Sequence, residues 1–207
     1  MSVGFRSLSL HVVSVLVTAA GFCAFAPGCS SNSPATAQAG IVWTVEGGTN
    51  SGAQCPVGGA DTFTIGGGND NDDSTVPDQG KSGSTPVSIN CTVSGNDSSG
   101  YNIFLYAAYG TQPLGSLTIR GTVAGNTSPQ TNITATFNDS LGTIANLGEA
   151  QGDGGTGCTI TYPNTSEGMG VAPGRIWAYI DCPNATDENR GYTCDANATF
   201  RFENCSQ

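Results

Sequence analysis

An all-β fold is what this sequence predicts: an antiparallel β-sandwich of about eight to ten short strands, stapled by disulfides. Three observations carry that expectation. Apolar residues recur with period two, as where Val87, Ile89, Cys91 and Val93 alternate with Ser88, Asn90, Thr92 and Ser94; this is the pattern of strands with one dry face. No amphipathic-helix pattern intervenes between such runs. The composition is that of turns and polar strand faces: 30 glycines, 20 serines, 24 threonines and 16 asparagines fill 90 of 207 positions, and only 11% of residues are charged, against about 25% in an average domain.

The elements follow in chain order. Arg6 and the apolar run from Leu8 to Phe25, interrupted by His11, have the charge-then-apolar layout of an export signal over residues 1–28. The run is at the lower limit for spanning hydrocarbon and contains Thr18 and Gly21, which argues against a permanent transmembrane anchor. Ser30 to Gly40 has no charge and only small or flexible residues, so residues 29–40 are expected to be a tether. The domain is expected over residues 41–207, with strands at Ile41 to Glu46, Asp61 to Ile65, Val87 to Ser94, Asn102 to Tyr109, Ser116 to Val123, Asn132 to Asn138, Cys158 to Tyr162, Ile176 to Asp181 and Ala198 to Glu203. Turn clusters such as Gly95-Asn96-Asp97 and Pro163-Asn164 separate them. The run Tyr101 to Tyr106, apolar on both sides, suits a strand packed on both faces.

The segment Phe25-Ala26-Pro27-Gly28-Cys29-Ser30 resembles the lipobox of bacterial lipoproteins, in which a small residue precedes a cysteine that becomes the acylated N-terminus. The resemblance implies a lipid on Cys29 and anchoring in the cell envelope, at an outer membrane or cell surface; two or more acyl chains hold a protein stably at a bilayer. Ala26 and Pro27 depart from the usual lipobox residues. A cleavage site at Ala37-Gln38-Ala39 is the alternative and leads to a secreted chain starting at Gly40.

Six cysteines remain beyond Cys23 and Cys29: Cys55, Cys91, Cys158, Cys182, Cys194 and Cys205. An even number in an exported chain, with no Cys-x-x-Cys and no histidine beyond His11, points to three disulfides rather than to zinc. Cys182 and Cys194 bracket a polar stretch between two strands, so their pairing closes a hairpin loop. The other four are harder to place; Cys91 with Cys205 and Cys55 with Cys158 is the arrangement carried forward. The stretches around Ile89-Asn90-Cys91-Thr92-Val93, Tyr101-Asn102-Ile103-Phe104 and the terminal Ala198 to Cys205 look distantly like small mycobacterial surface lipoprotein antigens. That resemblance implies a Cys91–Cys205 bridge and a non-enzymatic surface role.

Function classes are then excluded by chemistry. Six Lys and Arg against 16 Asp and Glu give a net charge of −10, which leaves phosphate nothing to neutralise it, so nucleic acid is no partner. Without histidine in the mature chain there is no Ser-His-Asp or Cys-His nucleophile, and the sequence calls for no cofactor. A carboxylate pair is what remains for catalysis, with Asp181, Asp195 and Glu203 in the C-terminal part, but no motif flanks them. Tyr106, Tyr109, Trp177 and Tyr179 are candidates for an aromatic sugar platform, and they support the alternative of a carbohydrate-binding or carbohydrate-active domain. Asp70, Asp72, Asp73 and Asp78 carry oxygen ligands of the kind Ca²⁺ prefers. As a calcium loop starting at Asp70 the stretch has Thr75 where glycine is required and Lys81 where the bidentate glutamate belongs; a solvated acidic loop accounts for it and no metal is assigned. Gly152 to Gly157 spells G-x-G-x-x-G, but a strand rather than a helix follows. Nine Asn-x-Ser/Thr sites occur, where chance at this composition gives about 3; polar strand faces and turns rich in both residue types produce them. The expected protein is an envelope-displayed β-sandwich whose role is binding or structural and not enzymatic.

Overall fold

The computed structural model describes residues 35–47, 55, 61–67, 74–111, 114–126, 128–138, 147–148, 157–187 and 192–207. The export signal, Cys29, Asp70, Asp72, Asp73 and most of the G-x-G-x-x-G stretch lie outside them. Its strands are β1 (Gln38–Glu46), β2 (Asp61–Ile65), β3 (Val76–Pro77), β4 (Lys81–Ser82), β5 (Thr85–Asn96), β6 (Gly100–Tyr109), β7 (Gly115–Val123), β8 (Ile133–Asn138), β9 (Leu147–Gly148), β10 (Thr159–Thr161), β11 (Gly170–Ala172), β12 (Arg175–Asp187) and β13 (Tyr192–Glu203). One short 3₁₀ turn, Thr165–Glu167, precedes β11.

Every strand pair is antiparallel. The hydrogen-bonded order runs β2-β1-β13-β12-β9-β8-β7-β6-β5-β4, with β10 and β11 on β12 and β3 on β1. This path makes two layers. One contains β2, β1, β13 and β12, the other β8, β7, β6, β5 and β4, and their inner faces share a single apolar cluster. Period two places Ile41 and Trp43, Phe200 and Phe202, Ile176 and Ile180, Leu105, Ile119 and Phe137 inside, all at most 1% exposed. The hydrophobic effect on these alternate positions selects the register, because a slip by one residue turns every one of them outward.

The layers are closed on both sides. At one side β9 joins them, Gly148 pairing with Thr186 of β12 and Thr136 of β8. At the other, the outer edge of β5 is capped residue by residue. The Val87 N–H donates to the Gly80 carbonyl at 3.0 Å, the Ile89 N–H to Asp78 Oδ1 at 2.7 Å, and the Val93 N–H to the Ser206 carbonyl at 2.9 Å. The Ser206 and Gly174 N–H groups donate in turn to the Cys91 and Val93 carbonyls at 3.0 and 2.9 Å. A bare strand edge is a template for aggregation, and here three separate segments cover it, Asp78 to Ser82, Gly174 and Ser206. Asp78, expected as a possible calcium ligand, therefore caps a backbone donor.

Three disulfides are present, but their pairing corrects two of the three expected bridges. Cys91 pairs with Cys205 as expected; Cys55 pairs with Cys194 and Cys158 with Cys182. The expected Cys182–Cys194 and Cys55–Cys158 bridges fail because the stretch between Cys182 and Cys194 is largely ladder and not loop. β12 and β13 continue past both cysteines to Asp187 and Tyr192, across an irregularity between Cys182 and Ala185. Cys182 thus stands opposite Ala196, and Cys194 opposite Ala185. Each cysteine reaches a neighbour on its other side: Cys158 immediately precedes Thr159, which pairs with Asp181.

Two further differences matter for the surface. β1 begins at Gln38, three residues before the expected start, so Gln38 and Gly40 belong to the sheet and not to a tether. The Tyr101 to Tyr106 run is not packed on both faces. Phe104 and Tyr106 point away from the core and are half-buried, Phe104 lying under the Arg120 guanidinium at 4.9 Å.

Candidate functional site

The strand register decides which of the expected residues meet. Tyr106 lies on β6, while Trp177 and Tyr179 lie on β12, with β9, β8 and β7 between them in the sheet order; Tyr109 ends β6 and packs partly against the core. The four aromatics therefore do not form one platform. Trp177 and Tyr179 do share a face, since Ile176, Ala178 and Ile180 point inward between and beside them.

The carboxylates separate in the same way. Asp195 and Glu203 lie on one strand, eight residues apart, which is about 27 Å at about 3.4 Å per residue. Sugar hydrolysis needs two carboxyls within roughly 5 to 10 Å, so Glu203 cannot pair with Asp195, nor with Asp181, which stands opposite Asn197. Asp181 and Asp195 do come together. Partial burial and then the Asp195 charge raise the Asp181 pKa, and partial burial followed by the Asp181 and Glu46 charges raises that of Tyr179. This end of the outer face is acidic and crowded. Among the described residues no three His, Cys, Asp or Glu side chains are placed to hold a metal ion.

The other end of the same face is built differently. A cleft of about 410 Å³ opens over β11, β12 and β13, lined by the turn from Glu167 to Val171, by Arg175 to Trp177 and by Arg201 to Glu203. The rungs explain its make-up: Gly170 pairs with Trp177, Trp177 with Arg201, and Arg201 with Gly40. A side chain on Gly170 would meet nothing within 4 Å, so the Trp177 row is open toward β11. The row is closed toward β1, where a Cβ on Gly40 would come within 2.5 Å of the Ser74 carbonyl oxygen and 2.7 Å of that of Gly67.

Within the cleft the Arg201 guanidinium covers the Trp177 ring at 5.0 Å from its centroid. Arg201 Nη2 and Nε donate to Glu203 Oε1 at 2.7 and 3.0 Å, and Gln38 Nε2 donates to Glu203 Oε2 at 2.9 Å. A carboxylate held by three donors on a sheet, beside a guanidinium resting on an indole, is a fixed array of planar polar groups. The Trp177 N–H is enclosed and has no partner. Arg175 is exposed at the rim.

Of this cleft the sequence singled out only Trp177 and Glu203, and Glu203 only as one of three carboxylates available for a pair. Arg201-Phe202-Glu203 was legible, since period two puts residues 201 and 203 on one face. Gln38 was not, because the strand containing it reads as tether. Compared with known protein families, curated proteins and solved structures, the chain matches none.

Proposed function

We propose that this chain is an exported, lipid-anchored protein of the cell envelope that acts by binding and not by catalysis, with the cleft over Trp177 as its binding site. The observation that supports this reading is the pre-built network Gln38–Glu203–Arg201 over the Trp177 ring, because polar groups already fixed in place lose little freedom on binding. Three disulfides fit an oxidising compartment outside the cytoplasm. The lipobox-like segment ending at Cys29 supplies the anchor in this reading. The test uses detergent-extracted full-length protein and isolated envelope material: co-sedimentation is expected with the unaltered chain and is expected to be lost in Arg175→Ala. Equal retention of both proteins, or of neither, would count against the cleft as the binding site.

A second reading, carbohydrate-active, is favoured by the approach of Asp181 to Asp195 on the neighbouring strand, two residues apart in register, with the Asp181 pKa raised by partial burial and the Asp195 charge as an acid and its partner require. It predicts hydrolysis of cell-wall polymers that disappears in Asp181→Asn. Absence of any product with the unaltered protein would remove it.

A further inference from the structure

The Trp177 cleft also points to a class of ligand. Resting on the reading of this cleft as the binding site, we infer that it takes a neutral saccharide. Sugar rings present adjacent hydroxyls that donate and accept at once, and planar carboxylate, amide and guanidinium groups match such pairs. The cleft wall holds carboxylate and guanidinium at fixed positions in Glu203 and Arg201, and the Gln38 amide fixes the carboxylate by donating to Glu203 Oε2. Its volume of about 410 Å³ lies within the range of small-ligand sites, roughly 300 to 1,000 Å³. Arg201 already occupies the Trp177 ring, so hydrogen bonds and not stacking on a bare indole dominate recognition. The open space beside Gly170 admits the ring of the ligand, and Arg175 at the rim adds a five-donor fork.

Charge decides between neutral and acidic sugars. Arg201 is matched by Glu203, and Arg175 and Glu167 line the same cleft, so its four ionised groups cancel. The chain as a whole carries −10, which repels polyanions at long range. Uronic-acid polymers and phosphorylated glycans gain nothing here that offsets that repulsion, whereas hydroxyls use the same donors and acceptors without it.

Calorimetric titration of the detergent-extracted full-length protein with gluco-, chito- and galacturono-oligosaccharides tests this directly. Binding of a neutral oligosaccharide is expected, little changed by added salt. Arg175→Ala and Glu203→Gln should each weaken it roughly tenfold, the effect of losing a hydrogen bond to a charged group. Arg120→Ala, the corresponding cation over Phe104 on the other layer, should leave it unchanged. Arg175 is exposed, so its variant folds as the unaltered chain does, and a matching melting curve verifies that. Failure of both neutral oligosaccharides to bind, binding of the uronic one alone, or undiminished binding by Arg175→Ala would overturn the inference. If no saccharide binds while envelope retention still depends on Arg175, the ligand class falls and the binding site stands; if retention is also independent of Arg175, both fall.

Discussion

Individual residues show where burial and pairing disagree, and two of them make predictions about pH. Tyr162 is buried and its hydroxyl has no partner; burial, and then the nearby Tyr101, push its pKa from 10.0 up to about 12. The folded state therefore holds this proton more tightly than the unfolded chain, so stability should fall as pH rises from 10.0 toward about 12. An absorbance titration should find Tyr162 among the tyrosines that ionise late, and its late step should vanish in Tyr162→Phe. Tyr162→Phe removes a hydroxyl that makes no hydrogen bond, so it should leave stability unchanged or raise it by about 1 kcal/mol; a clear loss in thermal melts would show a partner for that hydroxyl. Asp181 has the same sign. Its raised pKa favours the protonated folded state, so its contribution to stability is present in acid and lost as pH rises through its folded value. Asp181→Asn should raise the melting temperature at neutral pH and not in strong acid. Both groups were visible in the sequence as residues, but their environments were not, because each is set by strands far away in the chain: Asp181 meets Asp195 only through the β12–β13 register.

Strands were the legible elements. Nine were expected from period two, and β1, β2, β5, β6, β7, β8, β10, β12 and β13 lie at those places. The short β3, β4, β9 and β11 have two or three residues each, too few for any periodicity, and the sequence hid them for that reason. Hidden too was the length of β12 and β13, whose polar outer halves read as a loop although their backbones continue the ladder; that is why two disulfides were mispaired. β7 contains one position with no freedom for a side chain. Gly121 has φ of +149° and its Cβ would collide with the Asn132 carbonyl oxygen and lie 2.7 Å from the Ile133 Cα. Gly121→Ala should destabilise by several kcal/mol through strain and the forced separation of β7 from β8. A denaturant midpoint equal to that of the unaltered chain would contradict the register between them.

The whole molecule is held by covalent links as much as by its core. Cys91–Cys205, whose ends are separated by 114 positions in the chain, ties the C-terminal strap to β5, and its removal as Cys91→Ala with Cys205→Ala should cost about 2 to 5 kcal/mol. The melting temperature should drop accordingly, and the Val93–Ser206 contacts should lose protection in hydrogen exchange. Composition told of this architecture at once, since few charges, many turn residues and six paired cysteines suit a chain that must last outside the cytoplasm. It told nothing of the cleft, which is assembled from residues 167–171, 175–177 and 201–203 only when β11, β12 and β13 are side by side. The most direct test of the account is the intact mass of the native protein taken from membranes, before and after reduction and alkylation, with peptide mapping of the bridges. The account predicts an acylated chain beginning at Cys29, six cysteines that alkylate only after reduction, and the pairs Cys55–Cys194, Cys91–Cys205 and Cys158–Cys182. An unacylated chain beginning at Gly40, or free thiols before reduction, would contradict it.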